Sequence, residues 1–157
     1  FHMTDVPYGR GGSPLQNLIV RGHLDTKLTA LRMTNEFDAG PVYLKKPLGL
    51  EGSALDIYRR AGGLTAVMIE EIVSGDIEPV GQVGEATVFS RRTPAESEIP
   101  ADLDPAGVYD FIRMLDAPGY PKAFSQHGKL RLEFTDAELL NGRVEAKVTI
   151  VDGEESE

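Results

Sequence analysis

Apolar and polar positions along the chain change period several times, and each change marks an element. Phe1 to Met3 reads as the end of a strand. From Asp5 to Gly12 the residues Pro7, Gly9, Gly11 and Gly12 interrupt any period, which predicts a loop. Ser13-Pro14 opens a helix, with Ser as N-cap and Pro at the first helical position. Leu15, Leu18 and Ile19 form its apolar stripe, and Gly22 stops it. Lys27–Thr34 and Pro41–Leu48 alternate and predict two antiparallel strands. The tip of this hairpin is the acidic turn Asn35–Gly40, which carries Asp38. A long helix runs from Ser53, with Ser53-x-x-Asp56 as a capping box, to about Ser74. Its predicted apolar face holds Tyr58, Ala61, Thr65, Met68, Ile69 and Ile72. Gly62 and Gly63 weaken its middle by roughly 1 kcal/mol each relative to Ala.

Residues 76–104 are rich in Gly, Pro and Glu, and only Thr87–Arg91 looks like a strand, so this stretch reads as a connecting segment over the surface. Asp104-Pro105 opens a further helix with Val108, Phe111, Ile112 and Leu115 on one face. Lys122–Gln126, Lys129–Thr135 and Arg143–Val151 alternate with period two, and His127-Gly128 and Asn141-Gly142 are turn dipeptides between them. The expected organisation is an α/β region over 1–75, a linker over 76–104, a small α+β domain over 105–152 and an acidic, solvated tail over 153–157.

Charge is uneven. The net charge is −9; residues 1–50 hold six Lys/Arg against four Asp/Glu, while the remainder holds ten against 21. An acidic second part repels phosphate backbones, which predicts weak tRNA binding and a small-molecule substrate. There is no cysteine, so disulfides, thiolate nucleophiles and cysteine zinc sites are excluded. His2, His23 and His127 have no metal-ligand spacing, so no metal is expected; His23 and His127 adjoin glycines at turns and read as solvated. No apolar run approaches the roughly 20 residues of a membrane helix, and the start does not look like a signal peptide, so cytoplasmic residence is the expectation. Ser13 lacks a G-x-S-x-G elbow and reads as a cap rather than a nucleophile. Tyr120, Phe124 and Phe134 read as core packing rather than a base-stacking surface.

One constellation remains: a histidine, a Pro/Gly loop with Arg10-Gly11, the helix start SPLQNLI with Gln16, and an Asp-Ala-Gly turn at 38–40. This order resembles the catalytic half of the 10-formyltetrahydrofolate-dependent formyltransferases, the family that holds methionyl-tRNA and sugar-amine formyltransferases. The segments ATVFSRRTPAESEI and VYDFIRMLDAPGYPKAF resemble that family's linker and the first helix of its C-terminal domain. The resemblance implies a formyltransferase-type mixed sheet with helices, then an OB-like β domain reduced to about three strands. It places the family's N-terminal half, which supplies part of the folate site, and an Asn two residues before the histidine, outside this sequence.

By the same resemblance the chain moves a formyl group from 10-formyltetrahydrofolate to an amine. His2 and Asp38 match the family's catalytic His and Asp. A histidine donor stabilises charge on the formyl oxygen, and a carboxylate partner holds the imidazole and moves protons. Phe37, Ala39 and Gly40 would lie along the folate, and Arg10, Gly11 and Gln16 would meet the acceptor. Singly, each has a bland reading: a structural histidine, an Asx turn at Asp38, a left-handed turn position at Gly40, a solvated arginine. The acidic charge and short C-terminal domain favour a sugar-nucleotide amine as acceptor; methionyl-tRNA is the alternative, and a non-catalytic binding fragment of such an enzyme is the other. Without its first half the chain alone is expected to be a poor catalyst, with an exposed strand edge that invites self-association.

Overall fold

The computed structural model describes residues 1–153; of the acidic tail only Gly153 is among them, and the rest lies outside the described residues. The architecture is mixed α/β, with three small sheets and three α-helices among the described residues. The chain forms two compact units. One comprises Phe1–Gly52 and Asp56–Arg92; the other comprises Ser53–Leu55 and the residues from Thr93 on.

In the first unit β1 (Arg10–Gly11) is followed by α1 (Pro14–Ile19), the hairpin strands β2 (Asp25–Leu31) and β3 (Val42–Gly49), and α2 (Ala54–Ser74), which belongs to this unit from Asp56 on. The hairpin is antiparallel, and its register shifts between Ala30 and Leu31, so a bulge sits at the end that leads into the 32–41 loop. The expected strand at Phe1–Met3 is a single antiparallel bridge, His2 to Thr29. Helix α2 turns Ile57, Ala61 and Met68 inward, with Leu64 and Ile72 partly buried; Met68 packs with Leu28 and Ala30 of the hairpin. Of the predicted face, Ala61 and Met68 are buried and Tyr58, Thr65 and Ile72 half-buried; only Ile69 is exposed, and Ile57 is buried in addition.

Residues 76–92 run mostly exposed, as expected of a connecting segment, but they are tied to the first unit by strand pairing. Val80 pairs with Val42 through two backbone hydrogen bonds, and β4 (Val88–Phe89) runs parallel to β1. Phe89, 2% exposed, anchors this return strand in the core. Ser13 also departs from expectation. Its φ is +47° and its side chain caps nothing in α1; Oγ instead accepts the Arg92 N–H at 3.0 Å. Asn17 donates from Nδ2 to the carbonyls of Gly12, Ser13 and Ser90, tying the loop to the same return segment.

The second unit begins earlier than expected, with a 3₁₀ turn at Pro94–Ser97 and a bridge from Glu98 to Phe124. Helix α3 (Pro105–Arg113) opens as the sequence predicts, with Asp104 Oδ1 accepting the Gly107 N–H at 2.7 Å. It packs on a three-stranded antiparallel meander, β5 (Ala123–His127), β6 (Leu130–Leu140) and β7 (Arg143–Asp152). Asn141 and Gly142 both have positive φ, +52° and +78°, as a two-residue hairpin requires. Phe111, Ile112, Met114, Leu115 and Phe124 form the core of this unit. Phe124 is buried as expected, under the Arg131 guanidinium, whereas Tyr120 is exposed. Among the described residues no helix is long and apolar enough to cross a membrane.

Candidate active site

The fold brings His2 and Asp38 together. His2 is held by its bridge to Thr29 and is 8% exposed. Its Nε2 lies 2.7 Å from the Gly9 carbonyl oxygen, which also accepts from Thr4 Oγ1 at 3.1 Å. A carbonyl only accepts, so Nε2 carries the hydrogen and Nδ1 faces the other way, toward Asp38 Oδ1 at 3.5 Å.

Asp38 sits in the 32–41 loop at φ +54°, a left-handed position that Asp tolerates better than most residues. Its Oδ2 accepts the Gly11 N–H at 2.9 Å, which leaves Oδ1 for His2. Gly40 does not take the left-handed conformation that its bland reading supposes. Its glycine is required by proximity, since a Cβ there would lie 1.8 Å from the Arg32 carbonyl oxygen. The loop glycines have the same kind of reason. A Cβ on Gly9 would meet the Phe89 ring at 2.7 Å, one on Gly11 the Phe89 carbonyl oxygen at 2.5 Å, and one on Gly12 the Arg91 backbone and Cβ. The Gly-rich loop lets the return strand approach, and that approach fixes where the Gly9 carbonyl and the Gly11 N–H point.

Two cavities flank the Asp38 turn. One of about 180 Å³ is lined by Phe1, His2, Met33, Phe37, Asp38 and Gly40 among others. The second, about 490 Å³, is lined by Arg10, Gly11, Phe37, Asp38, Ala39, Val88 and Arg91 among others. Of the residues expected from the sequence, His2, Asp38, Phe37, Ala39, Gly40, Arg10 and Gly11 therefore border one or both. Phe37 is 91% exposed. Gln16 is the exception. It is 3% exposed, its Nε2 donates to the Tyr58 hydroxyl at 3.2 Å, and it lines neither cavity. Being on the buried side of a one-and-a-half-turn helix, it serves the interior.

Three contributors escaped the sequence reading. Thr4 and Gly9 orient the imidazole, and Gln82 bonds both Arg10 and the Asp38 turn. None carries a local signal, because each acts through a partner brought close by the fold. His23 is half-buried rather than fully solvated; its Nε2 is 3.0 Å from the Tyr8 hydroxyl. Below the site Asp5 accepts from Lys45 and Lys27. Burial opposes its ionisation, yet the two lysine hydrogen bonds and their charges outweigh that and hold its carboxyl below the ordinary carboxylate value. Among the described residues no three His, Asp or Glu side chains cluster as metal ligands would.

A family model for the C-terminal domain of methionyl-tRNA formyltransferase matches residues 94–151. The solved methionyl-tRNA formyltransferase from Clostridium thermocellum is 49% identical, with a TM-score of 0.95 over 98% of this chain and 68% of that one. The methionyl-tRNA formyltransferase of Mesoplasma florum is 28% identical over 93% of this chain and 48% of its own length, so this chain spans about half of that curated relative. An N-formyltransferase from Helicobacter canadensis, solved in complex with folinic acid and dTDP-3-aminofucose, shares the fold at 15% identity and a TM-score of 0.63, covering 94% of this chain and 65% of that one. The fold is thus that of the formyltransferases. Within that class the chain belongs to the methionyl-tRNA formyltransferase family, on the identity and coverage it shares with the Clostridium structure.

Proposed function

We propose that the protein carrying this chain transfers a formyl group from 10-formyltetrahydrofolate to the amine of methionyl-tRNA, with His2 and Asp38 as the catalytic pair. The observation that carries this reading is the His2–Asp38 contact at a turn bordered by two cavities, in a chain of this family. The smaller cavity, which His2 and Asp38 line with the apolar Phe1, Met33 and Phe37, suits the formyl donor. The larger, where Arg10 and Arg91 stand with Glu36 and Asp38, offers two guanidiniums to a phosphate-bearing acceptor. Asp38 borders both, so its carboxylate takes the proton released as the neutral amine attacks. Gly11 N–H and the His2 imidazole keep that carboxylate in place. His2, fixed through Gly9, presents its imidazole at the site where charge develops on the formyl oxygen.

The expected sugar-nucleotide acceptor gives way to its alternative. The methionyl-tRNA enzyme from Clostridium is 49% identical, whereas the amino-sugar complex is 15% identical. Net charge is a property of the whole surface, whereas Arg10 and Arg91 stand locally in one cavity, beside Glu36 and Asp38. The test is formylation kinetics with 10-formyltetrahydrofolate and methionyl-tRNA, using the full-length protein, this chain alone, and full-length Asp38→Asn and His2→Asn. Full-length turnover, a poor rate from the chain alone, and losses of about 10²–10³ in kcat for the variants are expected. Formylation of an amino-sugar nucleotide in preference to methionyl-tRNA would overturn the acceptor. Near-normal variants would overturn the pair.

A further inference from the structure

Within residues 81–87 every side chain is exposed except Gln82, which turns inward toward the site. Its amide has two N–H bonds and a carbonyl oxygen that accepts two more, and all four are used. Nε2 donates to the Asp38 carbonyl at 2.8 Å and to the Gly40 carbonyl at 2.8 Å. Oε1 accepts from Arg10 Nε at 3.1 Å and Nη2 at 2.7 Å. The amide orientation is forced, because the flipped form would set Oε1 against two carbonyls and the NH₂ group against a guanidinium. The pairing of Val80 with Val42 supplies the fixed point two residues earlier.

We infer that Gln82 is a positioning residue that couples the Arg10 side of the larger cavity to the Asp38 turn. The inference rests on the reading of Asp38 and His2 as the catalytic pair. One end of the amide clamps the carbonyls on both sides of Ala39, and so the backbone from which the Asp38 carboxylate projects. The other end takes two of the Arg10 donors and leaves Nη1 directed by the remaining geometry of the guanidinium. A glutamine is suited to this because it presents a donor pair to carbonyls and an acceptor to a cation at once. Glutamate keeps the acceptor and loses the donors, and methionine keeps the approximate shape and loses both.

The two halves of the role are separable. In full-length protein, Gln82→Glu keeps the Arg10 contact as an ion pair but sets a carboxylate against the Asp38 and Gly40 carbonyls. It is expected to lower kcat by about 10–100-fold while KM for methionyl-tRNA stays within about twofold, the cost of one lost pair of hydrogen bonds. Gln82→Met is expected to lower kcat comparably and also to raise that KM by about tenfold, since Arg10 is released. A merely structural role would lower the active fraction in both variants and leave both KM values alone. Hydrogen exchange at the Gly11 amide provides the second measurement, because that N–H is held by Asp38 Oδ2. Both variants should speed it by tenfold or more, with other protected amides of the first unit unchanged. Faster Gly11 exchange in a protein whose wild type transfers no formyl group would sink the function while leaving the positioning role standing. Unchanged Gly11 exchange, or equal kcat losses with no difference in KM between the variants, would overturn the inference.

Discussion

Gly11→Ala places a methyl group where the fold has no room for one. Gly11 has φ +98°, a region that L-residues rarely adopt, and its new Cβ would lie 2.5 Å from the Phe89 carbonyl oxygen and 3.3 Å from a Val88 methyl. That oxygen is backbone and accepts the Gly12 N–H at 3.0 Å, so it cannot swing aside as a flexible side chain would. Reaching ordinary contact at 3.4 Å requires β1 and β4 to part by about 0.9 Å, which disrupts a pairing only two residues long. The dihedral penalty is about 1–2 kcal/mol and the overpacking about 1–3, for a total near 2–5 kcal/mol. For a chain of this size that lowers Tm by roughly 4–20 °C. The same displacement withdraws the Gly11 N–H from Asp38 Oδ2, a charge-assisted bond of about 1.5–3 kcal/mol, so kcat should fall by roughly 10–150-fold. The control is Gly62→Ala. Gly62 lies in the middle of α2, exposed, with nothing within 4 Å of an added Cβ. There the same substitution should stabilise by about 0.5–1 kcal/mol and leave turnover unchanged. Thermal melts and formylation kinetics on the three proteins give the answer. A Gly11→Ala protein with wild-type Tm and kcat would refute the account of why the loop is glycine-rich.

Two other expectations concern stability. Met68 is fully buried against Leu28 and Ala30, so Met68→Ala should cost about 2–5 kcal/mol in urea unfolding, whereas Val73→Ala on the exposed side of the same helix should cost under about 1. The Asp5 carboxyl is held below its ordinary value in the folded state, so its contribution is present above the unfolded pKa and is lost as pH falls through the folded one. Asp5→Asn should therefore lower stability at neutral pH and flatten its decline on the acid side; an unaltered pH profile would show that the Lys27 and Lys45 contacts contribute nothing.

What the sequence determined by itself was whatever depends on neighbours a few residues apart. The helical stripe and the Asp104 cap placed α3, the Asn141-Gly142 dipeptide placed the last hairpin, and alternation on both sides of the acidic turn placed the hairpin that carries Asp38. The order of His, glycine loop and Asp-Ala-Gly turn also pointed to the right family, and to two residues that meet at 3.5 Å. Tertiary structure decided the rest. Ile57 is buried and Ile69 exposed although both are apolar, and Met68 is the buried residue of the helix that packs on the hairpin. Ser13 bonds Arg92 instead of capping its helix, and Gly40 is a glycine because Arg32 is close, not because of its own dihedral. Gln82 looked like part of a linker because its partners, Arg10 and Asp38, lie 72 and 44 residues away along the chain. Periodicity records which side of an element is buried. It does not record which distant carbonyl or guanidinium the fold will set against a given side chain, and the orientation of this site is made of such pairings.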